Sequence, residues 1–269
     1  MLASRLSRFW HRLPMDFILR NGARVAKRAA LVTGGSGGIG LAIARRLAES
    51  GYAVTISGRR EDKLLKAAEG LANDDLKVEA VVADVTSEDA VVDLVAEHKR
   101  QWGRLDCLVN NAGIGIGQPI HEIQTKHFDL QIAVNFRALA VATRESVEML
   151  KAAGEEHGKA LIVNLASIAG VDSPPWLSIY GATKAAVIGF SKSTQKELMG
   201  TGVAVTAICP GFVATDMTEF AQQAIPAEEM MQPEDIAEAV TFLLKVSPAC
   251  AVPELVMARP VAGPETQGM

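Results

Sequence analysis

Tyr180 and Lys184 stand four residues apart, a spacing that sets them one turn apart on the same face of a helix. A phenol has an ordinary pKa near 10, and an ammonium beside it favours the phenolate. A Tyr tuned in this way can give or take a proton near neutral pH, which is general acid/base chemistry. Tyr-x-x-x-Lys pairs arise by chance on many helices, so this one gains weight only from its surroundings. Ser167, thirteen residues upstream at the end of an apolar run, adds a hydroxyl. A glycine-rich turn closes the first strand-like segment.

That turn, Thr33-Gly34-Gly35-Ser36-Gly37-Gly38-Ile39-Gly40, follows a short apolar run and opens a helical segment. Glycines let a backbone turn tightly and approach a pyrophosphate, and a helix N-terminus offers free N–H groups and a positive dipole end. A tight strand-to-helix turn without a ligand is the plainer alternative, and the position in a βαβ unit favours the nucleotide. The spacing is Gly-x-x-x-Gly-x-Gly rather than G-x-G-x-x-G. At the end of the second strand, an acid reads a ribose 2′-hydroxyl and a base accommodates a 2′-phosphate. Here the residues are Ser57-Gly58-Arg59-Arg60, with Glu61 and Asp62 better suited to a helix's first turn. Arg59 and Arg60 therefore point to NADP(H), against the alternative of a solvated Arg pair. Asp84-Val85 ends the third strand, where a short acid could bond an adenine amine or cap the next helix. Asn110-Asn111-Ala112-Gly113 ends the fourth, either letting a cofactor pass close to the backbone or forming an Asn-rich turn.

The elements that must position these residues alternate. Strand-like runs lie at 30–32, 53–56, 78–82, 105–109, 160–165, 203–208 and 255–257. Helical segments are expected over 41–50, 86–101, 126–152, 178–199 and 233–244, the second opening with a capping-box-like Thr86-x-x-Asp89 and the last with Pro233-Glu234-Asp235. Short apolar strands alternating with helices predict an α/β fold: a Rossmann-like, doubly wound parallel sheet flanked by helices on both faces. No linker divides 29–260, so a single catalytic domain is expected there, followed by a flexible tail over 261–269.

The 269 residues are 49% apolar and 22% charged, with a net charge of −4 that gives no reason to expect nucleic-acid binding. Cys107, Cys209 and Cys250 lack C-x-x-C spacing and the five His lack metal-ligand spacing, so neither a disulfide framework nor a metal site is expected. Residues 1–28 carry a net +6 and the remainder −10. Within that segment Leu2, Leu6, Phe9, Trp10, Leu13 and Phe17 recur at helical spacing with Arg5, Arg8 and Arg12 between them. Residues 1–28 thus read as a basic amphipathic extension. Residues 1–19 could lie on an anionic membrane surface, target an organelle, dock on the domain or form a mobile tail. A cytoplasmic location is otherwise expected.

Thr33-Gly34-x-x-x-Gly38-x-Gly40, Asn110-Asn111-Ala112-Gly113, Asn135, Ser167, Tyr180-x-x-x-Lys184 and Pro210-Gly211 together resemble the short-chain dehydrogenase/reductase superfamily, in its compact single-domain branch, over roughly 27–260. The resemblance implies Tyr180 as general acid/base, Lys184 lowering the Tyr pKa and holding the nicotinamide ribose, and Ser167 orienting the substrate oxygen. It implies that Asn135 keeps a water in a proton relay reaching Lys184. Gly34, Ser36, Gly38, Ile39 and Gly40 would cradle the nucleotide, with Arg59, Asp84, Val85, Asn111, Ala112 and Gly113 along its adenosine half. Pro210, Gly211, Val213 and Thr215 belong to a loop resembling the one that embraces the nicotinamide. The implied activity is NADP(H)-dependent interconversion of a ketone or aldehyde and an alcohol, 3-oxoacyl thioesters included, by a homodimer or homotetramer. The end, 252–260, lacks the Val-Asp-Gly-Gly strand usual in ketoacyl-carrier reductases. A membrane-associated lipid or steroid dehydrogenase and a non-catalytic dinucleotide-binding scaffold are the alternatives. The substrate wall is expected from 114–119, 171–177 and 212–231, with Trp176, Met217, Phe220, Met230 and Met231.

Overall fold

Buried apolar runs form the strands β1 (Ala29–Thr33), β2 (Ala53–Gly58), β3 (Val78–Val82), β4 (Cys107–Asn110), β5 (Ala160–Leu165), β6 (Val203–Pro210) and β7 (Glu254–Met257). The structure is a computed structural model that describes residues 27–260; most of the expected amphipathic extension and the 261–269 tail lie outside the described residues. The strands make one seven-stranded sheet in the order β3-β2-β1-β4-β5-β6-β7, with every pairing parallel. The register is set by pairs such as Leu31↔Thr55 and Leu31↔Leu108. Strand order reverses between β1 and β4, and in such sheets ligands bind beyond the carboxyl ends of the strands at that reversal.

Helices connect the strands: α1 (Gly38–Glu49), α2 (Glu61–Ala72), α3 (Glu88–Trp102), α4 (Thr125–Ile132), α5 (Ala138–His157), α6 (Ser178–Glu197) and α7 (Pro233–Lys245). Successive strand residues point to opposite faces and feed two cores. Ala30, Val32, Val54 and Ile56 pack with Ile43 and Leu47 of α1, Leu64 and Leu71 of α2, and Ile236 and Val240 of α7. Leu31, Leu108, Ile162 and Val205 pack on the other face with Leu94 of α3 and Leu150 of α5. Each fully buried Leu, Ile or Val side chain contributes about 1.5–3 kcal/mol.

Several elements depart from the sequence expectation: α1 begins at Gly38 rather than at 41, and α2 (Glu61–Ala72) is absent from the expected helical segments. Ser87, not Thr86, caps α3, accepting from Ala90 N–H, while Thr86 N–H and Oγ1 bond back to Asp84 Oδ1 at 3.0 and 2.9 Å. Asp84 and Thr86 form their own short turn, and that delays the helix by two residues. The helix expected over 126–152 is interrupted by a wide π-turn, Ala133–Arg137, between α4 and α5. A single π-turn leaves the apolar period on both sides intact, so periodicity alone does not reveal it.

At the amino edge of the sheet, Arg104 grips buried Asp106 with two bonds of 2.8 and 2.7 Å, and Asp106 Oδ2 accepts from Ala29 N–H at 2.8 Å. This clamp ties the start of β1 to the start of β4 and so fixes the two strands that flank the reversal. Among the described residues no helix is long and apolar enough to cross a membrane, and no group of His, Cys, Asp or Glu could hold a metal ion.

Candidate active site

A cavity of about 950 Å³ opens at the carboxyl edge of the sheet. Its volume falls near the top of the ~300–1,000 Å³ range of small-molecule sites. Gly34, Ser36, Gly38, Ile39 and Gly40 form its floor, where β1 turns into α1. Gly34 has φ +68°, and a methyl group there would stand 2.9 Å from Asn111 Nδ2 and 3.0 Å from Ala112 Cα. A methyl on Gly40 would stand 2.3 Å from the Gly34 carbonyl oxygen. These positions admit only glycine, and the first free N–H groups of α1 are left facing the cavity.

Asn111 explains how the turn is held. Its Nδ2 donates to the carbonyls of Thr33 and Gly34 at 2.9 and 3.1 Å, while Thr33 Oγ1 accepts from the N–H groups of Asn111 and Ala112. Ala112 and Gly113 continue along the cavity wall beside Asp84, Val85 and Arg59. Asp84 spends one carboxylate oxygen on Thr86, and the expected capping of the next helix falls to Ser87 instead.

Across the cavity stand Ser167, Tyr180 and Lys184. Ser167 follows β5 and its Oγ accepts from Ala169 N–H at 3.1 Å. Tyr180 and Lys184 lie on α6, as their spacing requires. Lys184 is 4% exposed, donates to the Leu165 carbonyl at 2.8 Å, and sits with Nζ 5.7 Å from the Tyr180 ring centroid. Burial pushes the Lys184 pKa down to about 8. The Tyr180 phenol is pushed up from its ordinary value by burial, against a smaller downward pull from the Ser167 hydroxyl. The net shift is upward, opposite in direction to the lowering expected from Lys184, because desolvation is the largest effect on the phenol.

Asn135 lies behind the wall. Its Oδ1 accepts from Ile114 N–H at 2.8 Å, and its Nδ2 donates to the Ile114 carbonyl at 2.9 Å and to Thr183 Oγ1 at 3.1 Å. The side chain thus ties the loop after β4 to α6, and the π-turn is the element that carries it. A methyl on the intervening Gly113 would stand 3.4 Å from Lys184 Nζ and 3.5 Å from Asn135 Oδ1.

Pro210 at the end of β6, and Gly211, Val213 and Thr215 after it, line the wall. Beyond them Trp176, Phe212, Met217 and Phe220 form an apolar end, with Phe220 edge-on to both Trp176 and Phe212 at 6.1 and 6.4 Å. Trp176 has φ +65°, an outlying conformation for a bulky residue. Met230 and Met231, expected on this wall, turn away from it. Met230 is buried with Ala221 and Ile225, and Met231 packs on the main core. The cavity also includes Lys63 and Asp216, joined at 2.7 Å, which no spacing in the sequence connects.

A family model described as short chain dehydrogenase matches residues 28–226. The chain belongs to the short-chain dehydrogenase family. An uncharacterized oxidoreductase of Staphylococcus aureus is 37% identical over 217 residues, covering 81% of this chain and 90% of that protein. One from Staphylococcus epidermidis is 35% identical over 222 residues, covering 82% and 93%. Among solved structures, a 3-ketoacyl-(acyl-carrier-protein) reductase from Brucella melitensis complexed with NADH is similar, with a TM-score of 0.78 and 28% identity over 87% of this chain and 97% of that one. A variant of actinorhodin polyketide ketoreductase with NADPH gives 0.79 and 30%, covering 88% and 97%. A short chain dehydrogenase from Burkholderia cenocepacia in complex with NADP gives 0.78 and 30%, covering 88% and 98%. As a short-chain dehydrogenase the chain is an oxidoreductase that uses a nicotinamide nucleotide. The side-chain-free floor at Gly34 and Gly40, under the N-terminus of α1, fits the phosphates of such a nucleotide.

Proposed function

We propose that this short-chain dehydrogenase interconverts a ketone or aldehyde and an alcohol with NADP(H), using Tyr180 as the proton donor and acceptor. The observation that carries the reading is the convergence of Ser167, Tyr180 and Lys184 on the wall of the cavity whose floor is the glycine-rich turn. The nicotinamide supplies or takes up the hydride. Gly34, Ser36, Gly38, Ile39 and Gly40 would hold its phosphates, with Asp84, Val85, Ala112 and Gly113 lining the adenosine side and Pro210, Gly211, Val213 and Thr215 the other end. Arg59 supports NADP(H) over NAD(H). It lines the cavity just after β2, where no acid precedes it, and its planar fork of donors suits a phosphate.

In the reductive direction the Tyr180 hydroxyl gives its proton to the carbonyl oxygen, and its raised pKa keeps that proton in place at neutral pH. Ser167 donates a second hydrogen bond to the same oxygen and fixes its position. Lys184, an ammonium at pH 7, stabilises the phenolate that the transfer leaves behind. Asn135 keeps the Ile114 loop and α6 in register beside Lys184 and acts as a positioning residue. The aromatic end with Trp176, Phe212 and Phe220 favours an apolar carbonyl compound, and a 3-oxoacyl thioester belongs to that class.

The test is a panel of ketones, aldehydes and 3-oxoacyl thioesters followed by nicotinamide absorbance. Tyr180→Phe should lose roughly a hundredfold or more of the turnover while still binding the nucleotide. Near wild-type turnover by Tyr180→Phe on the best substrate would overturn the mechanism.

A further inference from the structure

Lys63 lies in the first turn of α2, so that Arg59, Arg60 and Lys63 bring three cations to one rim of the cavity. Its ammonium bends back over the glycine-rich turn: a methyl group on Gly37 would stand 3.1 Å from Lys63 Nζ. There it donates to Asp216 Oδ2 at 2.7 Å. Asp216 begins the short 3-10 turn Asp216–Ala221 on the far rim, 153 residues along the chain. The preceding residue approaches from the same side, since a methyl on Gly38 would stand 3.0 Å from Thr215 Cγ2. The ion pair therefore spans the mouth of the nucleotide cleft and joins the two halves of the sheet.

The Asp216 carboxylate occupies an electrostatic position suited to a phosphate. Lys63 first, and Arg60 after it, hold its carboxyl below the usual carboxylate range. The Asp216 side chain is 81% exposed, and an ion pair so open to water is weak. A phosphate offers more charge and more acceptor oxygens than a carboxylate, so it competes well for the same ammonium.

We propose that Lys63 serves two anions in turn, the Asp216 carboxylate and a phosphate of the dinucleotide, the 2′-phosphate being the one whose charge the Arg59–Arg60–Lys63 group matches. The proposal rests on the NADP(H) reading above. It makes Lys63 a specificity-determining residue and Asp216 a built-in competitor that lowers the affinity for the phosphate.

Calorimetric titration with 2′,5′-ADP and with ADP, at one ionic strength, tests it without any substrate. Wild-type preference for 2′,5′-ADP tests the NADP(H) reading by itself. For the exchange, Lys63→Ala should weaken 2′,5′-ADP roughly tenfold. Asp216→Asn should tighten it about two- to fivefold. The double variant should bind like Lys63→Ala, because without the ammonium there is nothing for Asp216 to withhold. If the same pattern appears with ADP and the wild type shows no preference for 2′,5′-ADP, the NADP(H) reading fails while the exchange stands, on the pyrophosphate. The exchange is overturned if Asp216→Asn tightens binding equally with and without Lys63, or if neither single variant shifts either ligand by more than about twofold.

Discussion

The Lys184 ammonium is buried to 4% exposure against one carbonyl acceptor, Leu165 at 2.8 Å, and its pKa falls from 10.5 to about 8. The folded value lies below the unfolded one, so between pH 8 and 10.5 the unfolded chain binds the extra proton. The fold therefore carries a penalty that is fully present below pH 8 and gone above 10.5. A shift of that size corresponds to about 3 kcal/mol. Lys184→Met would remove the penalty but leave the Leu165 carbonyl without its donor, a loss of about 1 kcal/mol or more. The expected result is a variant about 1–2 kcal/mol more stable at pH 7 and no more stable at pH 10, with turnover down roughly a hundredfold. Urea unfolding at the two pH values measures the first part. A variant less stable than wild type at pH 7 would show that the buried charge is well accommodated. The raised phenol beside it has the same origin, since both groups sit where water is scarce. That feature is invisible in Tyr-x-x-x-Lys spacing, which gives proximity but not desolvation.

One scale up, α3 is fastened to β2 by a polar chain within the apolar layer. Trp102 Nε1–H donates to Thr55 Oγ1 at 3.0 Å, Thr55 Oγ1–H to His98 Nδ1 at 2.8 Å, and His98 Nε2–H to the Arg104 carbonyl at 3.0 Å. This chain requires neutral His98 with its proton on Nε2, and burial pushes its pKa down to about 4. A depressed folded value means stability that is present above pH 6.5 and is lost as pH falls through 4. Between pH 7 and 4.5 wild type should lose about 2–3 kcal/mol from this group, and His98→Gln should flatten that slope. Equal slopes in urea midpoints for the two proteins would remove His98 as the cause. Sequence patterning locates these elements well where the core decides them: β2 and the Pro233 start of α7 fall where their apolar and capping residues predict. It fails where a tertiary contact decides. The π-turn at Asn135 follows from bonds to Ile114 and Thr183, and the delayed start of α3 follows from the Asp84–Thr86 turn. Asn111 similarly reads as part of a turn but acts by bonding Thr33 and Gly34 across the strand reversal.

The whole molecule places its two chemistries on opposite sides of one strand reversal. Arg59 and the glycine-rich turn belong to the β1–β3 half, while Ser167, Tyr180 and Thr215 belong to the β4–β7 half. A ligand spanning that line bonds to both halves only when they are folded together, so it stabilises the fold by mass action. At a hundredfold excess over its dissociation constant the gain is about 2.7 kcal/mol. For a chain of this size that corresponds to a rise in Tm of roughly 5–10 °C. Charged hydrogen bonds from Arg59 to a 2′-phosphate contribute on the order of 1.5–3 kcal/mol, a ten- to hundredfold difference in affinity. NADPH should therefore raise Tm about 3–8 °C further than NADH at equal concentration. Arg59→Asp combined with Arg60→Ala should cancel or invert the difference, because the carboxylate repels the phosphate and accepts from a ribose hydroxyl instead. Differential scanning fluorimetry of both proteins with both nucleotides reads the result without a known substrate. A larger rise with NADH in the wild type would assign the cleft to NAD(H) and leave Arg59 as a solvated surface charge.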